Sequence, residues 1–370
     1  MTLQKLQFRP GANRETTSYS NEGGWFDMDK VRFRFGFPEK IGGWIKQSSN
    51  SFLGTCRALH PWLALDGTNY LGVGTHLKYY INQGGAYNDI TPIRTTTAAG
   101  DVTFSANATT LNETLSAIDT TITVASASGF PSFGIIKIGS EHITFAGLNG
   151  NNLIGCVRGA DNTVATTHSS GAAVTMSTII VTDTDHGALV NDFVTISGAA
   201  SLGGLVTANV LNQEYQITGV INDDSYQIDV REVADIQSIT TTTGLNATYV
   251  FANSSDSGNG GSSVVGSYQI NTGLDTTIAG NGWSAGTYGR GTWGSAANLS
   301  ASGQTLRIWS HDNFGEDLII NVRDGDIFYW DNSTSSGTPF SRAVELASLA
   351  GSNKAPVIAK QVLVSDRDRH

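Results

Sequence analysis

The chain has few of the residues that mark disulfide-rich scaffolds or membrane proteins. Only two cysteines, Cys56 and Cys156, occur in 370 residues, so we expect no disulfide framework, and assembly in a reducing cytoplasm fits. No apolar run reaches the roughly 18 residues that a membrane helix needs, and we expect no membrane span. The first ten residues lack the apolar stretch of a secretory signal, so none is expected there.

The residues that are abundant favour β structure. The sequence has 43 glycines, 7 prolines and only 15% charged residues, together with many Thr, Ser and Asn. This composition is typical of all-β proteins with many tight turns. Only one short segment, Ala343 to Leu349, suggests a helix. The length predicts roughly two to four domains.

Charge and tryptophan divide the chain into three parts. Residues 1–95 carry a net charge of +4, residues 96–262 a charge of −12, and residues 263–370 a charge of −2. No tryptophan lies between Trp62 and Trp283. The acidic centre argues against contact with nucleic acid there, because phosphate binding depends on Lys and Arg. Small-residue linkers flank this centre, which predicts one aromatic-rich β domain interrupted by a long insertion.

We therefore predict four segments. Residues 1–95 form an N-terminal arm and the first propeller-like blades, and residues 263–370 continue the propeller. Residues 96–176 and 177–262 form two inserted modules, each a small β-sandwich or barrel. The flanks suffice for about four or five blades, so we expect an incompletely closed propeller and a shortened chain.

The N-terminal part contains a strand whose two faces differ. In the segment Val31 to Phe35, Arg32 and Arg34 lie on one face, and Val31, Phe33 and Phe35 on the other. Gly36-Phe37-Pro38 is expected to end the strand. One interpretation is a half-buried strand with a solvated basic face. The other places Arg32, Arg34 and Lys40 at a subunit interface or facing a DNA channel, since Arg suits both.

The N-terminal string resembles the N-terminus of tail proteins from short-tailed bacteriophages (podoviruses). These are the nozzle or tail tubular protein B, and the related packaged-DNA stabilisation proteins. The segments that carry the resemblance are Arg9 to Glu15, Asn21 to Phe26, Arg32 to Arg34, and Pro38 to Trp44. The inserted segments 119–174 and 179–250 resemble small β modules of phage tail and baseplate proteins.

The resemblance implies a non-enzymatic virion protein of the tail, assembled in the host cytoplasm. It implies a homo-hexameric ring that extends the DNA channel from the adaptor, retains packaged DNA until ejection and offers docking surfaces for tail fibres. The DNA would pass without sequence-specific binding, and no cofactor is expected. The residues that we predict to form assembly contacts are Arg14, Trp25, Phe26, Arg32, Arg34, Phe37 and Trp44.

Three pairs of ionisable residues suggest chemistry, and each has a simpler structural interpretation. Asp183 with His186 has no second ligand cluster at a spacing that suits a metal. Glu141 and His142 are neighbours in a predicted strand, so their side chains lie on opposite faces. The pair His311-Asp312 is expected in a solvated polar loop. The sequence therefore predicts no catalytic or metal site.

A second function class stays open beside the nozzle. Gly282 to Gly294 is a glycine-rich segment with Trp283, Tyr288 and Trp293, which lacks the context of a phosphate loop. In a tail fibre or decoration protein, these aromatic rings would stack on the sugars of a host receptor. An enzyme that degrades surface polysaccharide is disfavoured, because no convincing carboxylate pair is present.

Overall fold

The computed structural model describes residues 9–17, 19–43, 45–46, 48–232, 249–272, 308–333 and 340–365. The chain divides into two compact units, Met1–Ser49 and Asn50–His370. The described residues are almost entirely strands and turns, which confirms the predicted all-β fold.

The first unit contains one hairpin, formed by β1 (Val31–Arg34) and β2 (Phe37–Lys40). Phe35 and Gly36 form the turn, both with positive φ (52° and 85°), as two-residue type I′ hairpin turns require. The sequence prediction was wrong in two respects here. The first strand ends before Phe35, and Phe37 and Pro38 belong to the returning strand. Pro38 is tolerated because β2 pairs only with β1 and needs no donor on its other side.

The second unit begins with a four-stranded antiparallel sheet in the order β3–β4–β5–β6. Its strands are β3 (Cys56–Leu63), β4 (Asn69–Thr75), β5 (Tyr79–Gln83) and β6 (Ala86–Asp89). They correspond to four short strands that the sequence predicts at 56–60, 69–74, 76–81 and 87–90, with turns between them. Glycines in β4 permit close packing: a Cβ at Gly74 would lie 2.5 Å from Trp309 Cδ1.

The acidic centre contributes most of the next elements. They are β7 (Ile93–Thr96), β8 (Thr103–Thr110), β9 (Thr121–Thr123), β10 (Gly134–Ile138), β11 (Glu141–Phe145), β12 (Gly147–Asn149), β13 (Asn152–Ile154), β14 (Val157–Ala160), β15 (Ala173–Thr182), β16 (Phe193–Ser197), α1 (Ala208–Leu211), β17 (Glu214–Asn222), β18 (Ser225–Asp229) and β19 (Val265–Gln269). Strands β12, β13 and β9 form a small sheet. The remaining ten strands form one sheet. Nine of them follow the order β14–β11–β10–β15–β18–β17–β16–β19–β7, and the tenth, β8, pairs with β15.

The long strand β15 makes this large sheet continuous. Its first part, Val174 to Met176, pairs with β10, and its second part, Thr178 to Thr182, pairs with β18. The module boundary predicted after residue 176 therefore falls inside a strand whose two parts have different neighbours. Two hydrophobic cores flank it, one that includes Phe104, Val194, Tyr215 and Tyr268, and one that includes Leu115, Ile136, Phe145 and Met176. The four predicted segments stay a proposal.

A second four-stranded antiparallel sheet follows, in the order β20–β21–β22–β23. Its strands are β20 (Trp309–Phe314), β21 (Asp317–Val322), β22 (Ile327–Trp330) and β23 (Val344–Glu345). The helix predicted from Ala343 to Leu349 is not formed, because β23 occupies its start and only a 3₁₀ turn, Leu346–Ser348, follows. Pairing with β22 outweighs the weak local helix signal.

The third core joins the two four-stranded sheets. Trp62 stacks on Tyr70 with ring centroids 5.3 Å apart, and Trp330 meets both rings edge-on at 6.4 and 6.1 Å. Trp309 packs against Tyr79 at 4.9 Å, and its indole N–H donates to the Thr75 carbonyl. Offset and edge-on contacts of this kind add to the free energy of apolar burial. Two four-stranded sheets thus pack face to face, and the predicted propeller stays a proposal.

A buried ion cluster connects the first four-stranded sheet to the large sheet. Lys78 is fully buried, and its ammonium lies 2.7 Å from Asp89 Oδ2 and 2.8 Å from Glu214 Oε2. Arg342 approaches the same carboxylates at 3.3 and 3.4 Å. Burial raises the pKa of Asp89, but the charges of Lys78 and Arg342 outweigh it and the pKa lies below its usual value. Two cations and two carboxylates therefore balance inside the protein.

Candidate assembly surface

One face of the hairpin of the first unit carries a cross-strand ion pair. Arg32 lies opposite Glu39, and its Nε is 3.2 Å from Glu39 Oε2. Both side chains are about half exposed, so the pair contributes little stability and mainly orients the two side chains. On the other face Phe33 meets Trp25, with ring centroids 6.3 Å apart. The predicted alternation of basic and apolar side chains in β1 is therefore present.

The segment that precedes the hairpin is organised by one buried amide. The Asn21 side chain donates to the Asn13 and Trp25 carbonyls, at 3.3 and 3.4 Å. A Cβ at Gly24 would lie 2.1 Å from Asn21 Oδ1, so glycine is required at that position. The Asn13 N–H also donates to the Trp25 carbonyl at 2.9 Å. These bonds hold two loop segments side by side without an apolar core.

Arg14 is fixed on the surface of this unit. Its Nη2 lies 2.6 Å from Asp27 Oδ1, its Nε donates to the Phe26 carbonyl at 3.4 Å, and its guanidinium lies 5.9 Å from the Phe26 ring centroid. The hydrogen bond from Arg14 lowers the pKa of Asp27. The guanidinium is thereby oriented beside an exposed aromatic ring, an arrangement common in protein interfaces.

The described part of the first unit exposes large apolar side chains and contains no apolar core. Within its described residues, the buried side chain is the polar Asn21 and no apolar residue is buried. Phe35 at the hairpin tip is 90% exposed and Phe37 74%. The further exposed apolar residues are Tyr19, Phe26, Ile41 and Ile45. Large exposed apolar patches are typical of interaction sites, so these residues form the candidate assembly surface.

The structure places most of the predicted assembly residues in this unit. Arg14, Trp25, Phe26, Arg32, Arg34, Phe37 and Lys40 all lie there. Trp44 and the candidate glycan-stacking residues Trp283, Tyr288 and Trp293 lie outside the described residues. The sequence alone did not identify Phe35 as the exposed tip of the hairpin, because the alternation of residues 31–35 assigned Phe35 to a strand face. The signal that could have located the turn is the dipeptide Phe35-Gly36 between two alternating segments, which suits a two-residue turn.

The pair Asp183 and His186 is used structurally. Asp183 accepts a hydrogen bond from the Tyr268 hydroxyl at 2.6 Å, and burial raises the pKa of its carboxyl. The His186 ring packs against Tyr226 and Tyr268, with centroids 5.0 and 6.3 Å away. Among the described residues, no group of three His, Cys, Asp or Glu side chains is placed to hold a metal ion.

The side chains of Glu141 and His142 point to opposite faces of β11 and make different contacts. Glu141 is fully buried and binds Arg158 through two bonds of 2.7 and 2.8 Å. His168 Nε2 lies 2.8 Å from the same carboxylate. His142 instead lies 3.2 Å from Asp161. The Glu141 carboxylate thus organises the surrounding loop.

His311 is not in a solvated loop, as the sequence predicted, but in β20 between the two four-stranded sheets. Its ring lies 4.6 Å from the His60 ring, and its Nδ1 is 3.1 Å from the Tyr79 hydroxyl. Burial, with a smaller contribution from His60, lowers the pKa of His311 to about 4. The ring is therefore neutral at pH 7.

We expect this histidine to make the protein less stable in mild acid. In the unfolded chain His311 takes up a proton near pH 6.5, whereas in the fold it does so only near pH 4. Stability contributed by the neutral ring is present above pH 6.5 and is lost as the pH falls towards 4. The variant His311→Asn should show a flatter decline of the unfolding free energy across that window, measured by urea titration. His76→Asn serves as the control. If the unfolding free energy of His311→Asn declines between pH 6.5 and 4 as steeply as that of wild type, the assignment is wrong.

Comparison with known proteins adds little. No protein-family model matches the chain, and no curated protein matches it. Among solved structures, the chain is similar to a Phage phi92 endosialidase at 13% identity and a TM-score of 0.16, over 84% of this chain and 43% of that one. The chain thus spans less than half the length of that protein. A TM-score of this size supports no inference about fold or function. In the described part of the chain, no helix is long and apolar enough to cross a membrane.

Proposed function

We propose that the chain is a structural component of a bacteriophage short tail, a nozzle-like ring that extends the DNA channel and retains packaged DNA. The observation that carries the proposal is the first unit, which exposes Phe35 and Phe37 and buries no apolar side chain in its described part. Such a unit gains stability by docking on another chain. The resemblance of its sequence to nozzle proteins supplies the class of assembly.

The proposed mechanism is mechanical rather than catalytic. The first unit docks on neighbouring copies, on the adaptor or on tail fibres, in a ring that is hexameric by resemblance. Arg34, on the same face of β1 as Arg32, supplies positive charge towards the channel, where phosphates pass without sequence-specific contacts. Lys40, also predicted to face the channel, pairs with Val31 and lies on the opposite face of the hairpin. The acidic centre lies away from the DNA. Assembly takes place in the host cytoplasm, and the finished protein belongs to the virion tail.

Replacing Phe35 and Phe37, the exposed aromatic residues of the hairpin, tests whether the first unit docks on another chain. We expect the double variant Phe35→Ser/Phe37→Ser to keep the wild-type unfolding temperature, because both rings are exposed, but to be absent from purified particles. The measurement is complementation of a phage lacking this protein, followed by quantification of the chain in particles. Phe133→Ser, at a phenylalanine of the acidic centre that is 67% exposed, is the matched control. Normal incorporation of the double variant would contradict the proposed docking unit.

A cryo-EM map of the intact particle decides the location. A ring around an axial channel below the adaptor is expected for the nozzle. Density in a peripheral three-fold appendage would overturn it in favour of the receptor-binding alternative. In that case Trp283→Ala should abolish saturable glycan binding.

A further inference from the structure

The buried ion cluster places one amine in contact with two carboxylates. Lys78 directly precedes β5 and Asp89 ends β6, so the β5–β6 hairpin brings the two residues side by side. The Nζ atom of Lys78 lies 2.7 Å from Asp89 Oδ2. The same nitrogen lies 2.9 and 2.8 Å from the two carboxylate oxygens of Glu214, the first residue of β17. Such a cluster contains a nucleophile, an electrophile and a group that can carry protons between them.

The cluster is closed to water. Lys78 and Asp89 are buried, and the side chain of Glu214 is nearly so. The ring of Phe193 covers the amine, with its centroid 4.4 Å from Lys78 Nζ. Exclusion of water protects a newly formed bond from hydrolysis.

The Asp89 carboxylate is oriented for attack by the amine. Its Oδ1 accepts a hydrogen bond from the Thr91 N–H at 2.8 Å, while its Oδ2 faces Lys78 and lies 3.3 Å from Arg342 Nη1. These donors stabilise the negative charge that develops on the oxygens when a nucleophile adds to Cγ. Reactants held together in this way meet at effective concentrations on the order of 10⁵ M or more.

We propose that Lys78 and Asp89 condense to form an intramolecular amide, an isopeptide bond, with Glu214 as the proton carrier. The structure shows the reactant, in which the two residues form an ion pair. Asp89 is ionised there, because the charges of Lys78 and Arg342 outweigh its burial. It must therefore receive a proton before the nitrogen can add.

The reaction balances without any further reactant. Glu214 moves one proton from the Lys78 ammonium to Asp89 Oδ2, which leaves a neutral amine beside a neutral carboxylic acid. The amine attacks Cγ and forms the C–N bond. A second proton then passes from the nitrogen through Glu214 to Oδ2, the Cγ–Oδ2 bond breaks, and Oδ2 departs as water. One ammonium and one carboxylate thus become one amide and one water molecule.

The charges that remain after this reaction still balance. Condensation removes one cation and one anion and leaves Glu214 beside Arg342, whose Nη2 lies 3.4 Å from Glu214 Oε1. Gln269 also donates to this oxygen. The loss of two buried charges removes the free-energy cost of keeping them out of water. Before the bond forms, the cluster contributes to stability as an ion pair.

Mass spectrometry of the purified full-length chain tests the bond. Wild type should be lighter than its sequence mass by one water molecule. Trypsin should fail to cleave after Lys78, so residues 58–94 should appear as one peptide in place of 58–78 and 79–94. Chymotrypsin cuts at the tyrosines between the two residues. It should release two peptides that are joined through Lys78 and Asp89.

Two variants separate the nucleophile from the proton carrier. Lys78→Arg keeps the positive charge but has no nucleophilic amine, so it should have its full sequence mass. Glu214→Gln keeps both reacting residues, and we expect water loss after refolding to be slower by at least about 100-fold, as for the loss of a general acid–base group. Glu345→Gln, at an exposed glutamate, is the control and should react at the wild-type rate. Thermal unfolding verifies that each variant folds.

The wild-type mass decides the inference even where a variant does not fold. A folded wild type with its full sequence mass and both tryptic peptides would overturn the bond. Loss of water that persists in Lys78→Arg would place the dehydration elsewhere and overturn it too. Reaction of Glu214→Gln at the wild-type rate would overturn the role of Glu214. The inference does not depend on the proposed tail role, which is decided by incorporation into particles.

Discussion

Lys78→Met is expected to lower the free energy of unfolding by about 3–5 kcal/mol, the usual cost of removing one partner from a buried ion pair. The ammonium of Lys78 lies within 3 Å of two carboxylates, Asp89 and Glu214. Its removal leaves both with Arg342 as their remaining cation, at 3.3 and 3.4 Å. Methionine fills most of the lysine volume, so the loss reports charge rather than a cavity. Urea unfolding followed by tryptophan fluorescence measures it.

A second substitution separates charge from packing. Lys78→Met/Asp89→Asn removes one uncompensated carboxylate and should recover part of the lost stability. Lys354→Met, at an exposed position, should change the unfolding free energy by less than about 0.5 kcal/mol. A loss below about 1 kcal/mol for Lys78→Met, or no recovery in the double variant, would show that the cluster does not join the sheets as we describe.

Glu141→Gln is expected to destabilise the protein by a similar amount, about 3–5 kcal/mol, because it leaves a nearly buried guanidinium without its carboxylate. Glu141 accepts bonds from Arg158, from His168 and from the N–H groups of Gly159 and Thr166. A glutamine amide has one acceptor oxygen, and its NH₂ group would face donors. Urea unfolding gives the loss. Hydrogen exchange at residues 159–168 should accelerate, since the carboxylate holds that loop.

The pH dependence gives a second signature of Glu141. Burial opposes its charge, but the bonds from Arg158, Thr166 and His168 outweigh burial and lower its pKa to about 2. Its stabilisation is present above pH 4.5 and is lost as the pH falls towards 2. Glu141→Gln should remove this component, whereas Glu345→Gln on the exposed edge strand β23 should leave it intact. Equal acid sensitivity of wild type and Glu141→Gln would contradict the assignment.

Local signals predicted the strands well where turns were short. A three-residue turn, 76–78, separates β4 from β5, and Gly84-Gly85 separates β5 from β6, so each strand could be located within one to three residues. The hairpin tip was misplaced because Phe35 continues the alternation of β1 in sequence while its backbone turns. The segment 343–349 was misassigned because a short helix signal cannot compete with a neighbouring strand that offers hydrogen bonds.

The sequence by itself determined the all-β class, most strand positions and the basic, aromatic character of the first unit, because turn chemistry and alternation act over a few residues. Only the tertiary structure decided what the ionisable residues do. Lys78 and Glu214 are 136 residues apart, and His60 meets Asn313 across 253. Such contacts depend on which sheet faces pack together, and that choice is made by summed apolar burial over the whole chain.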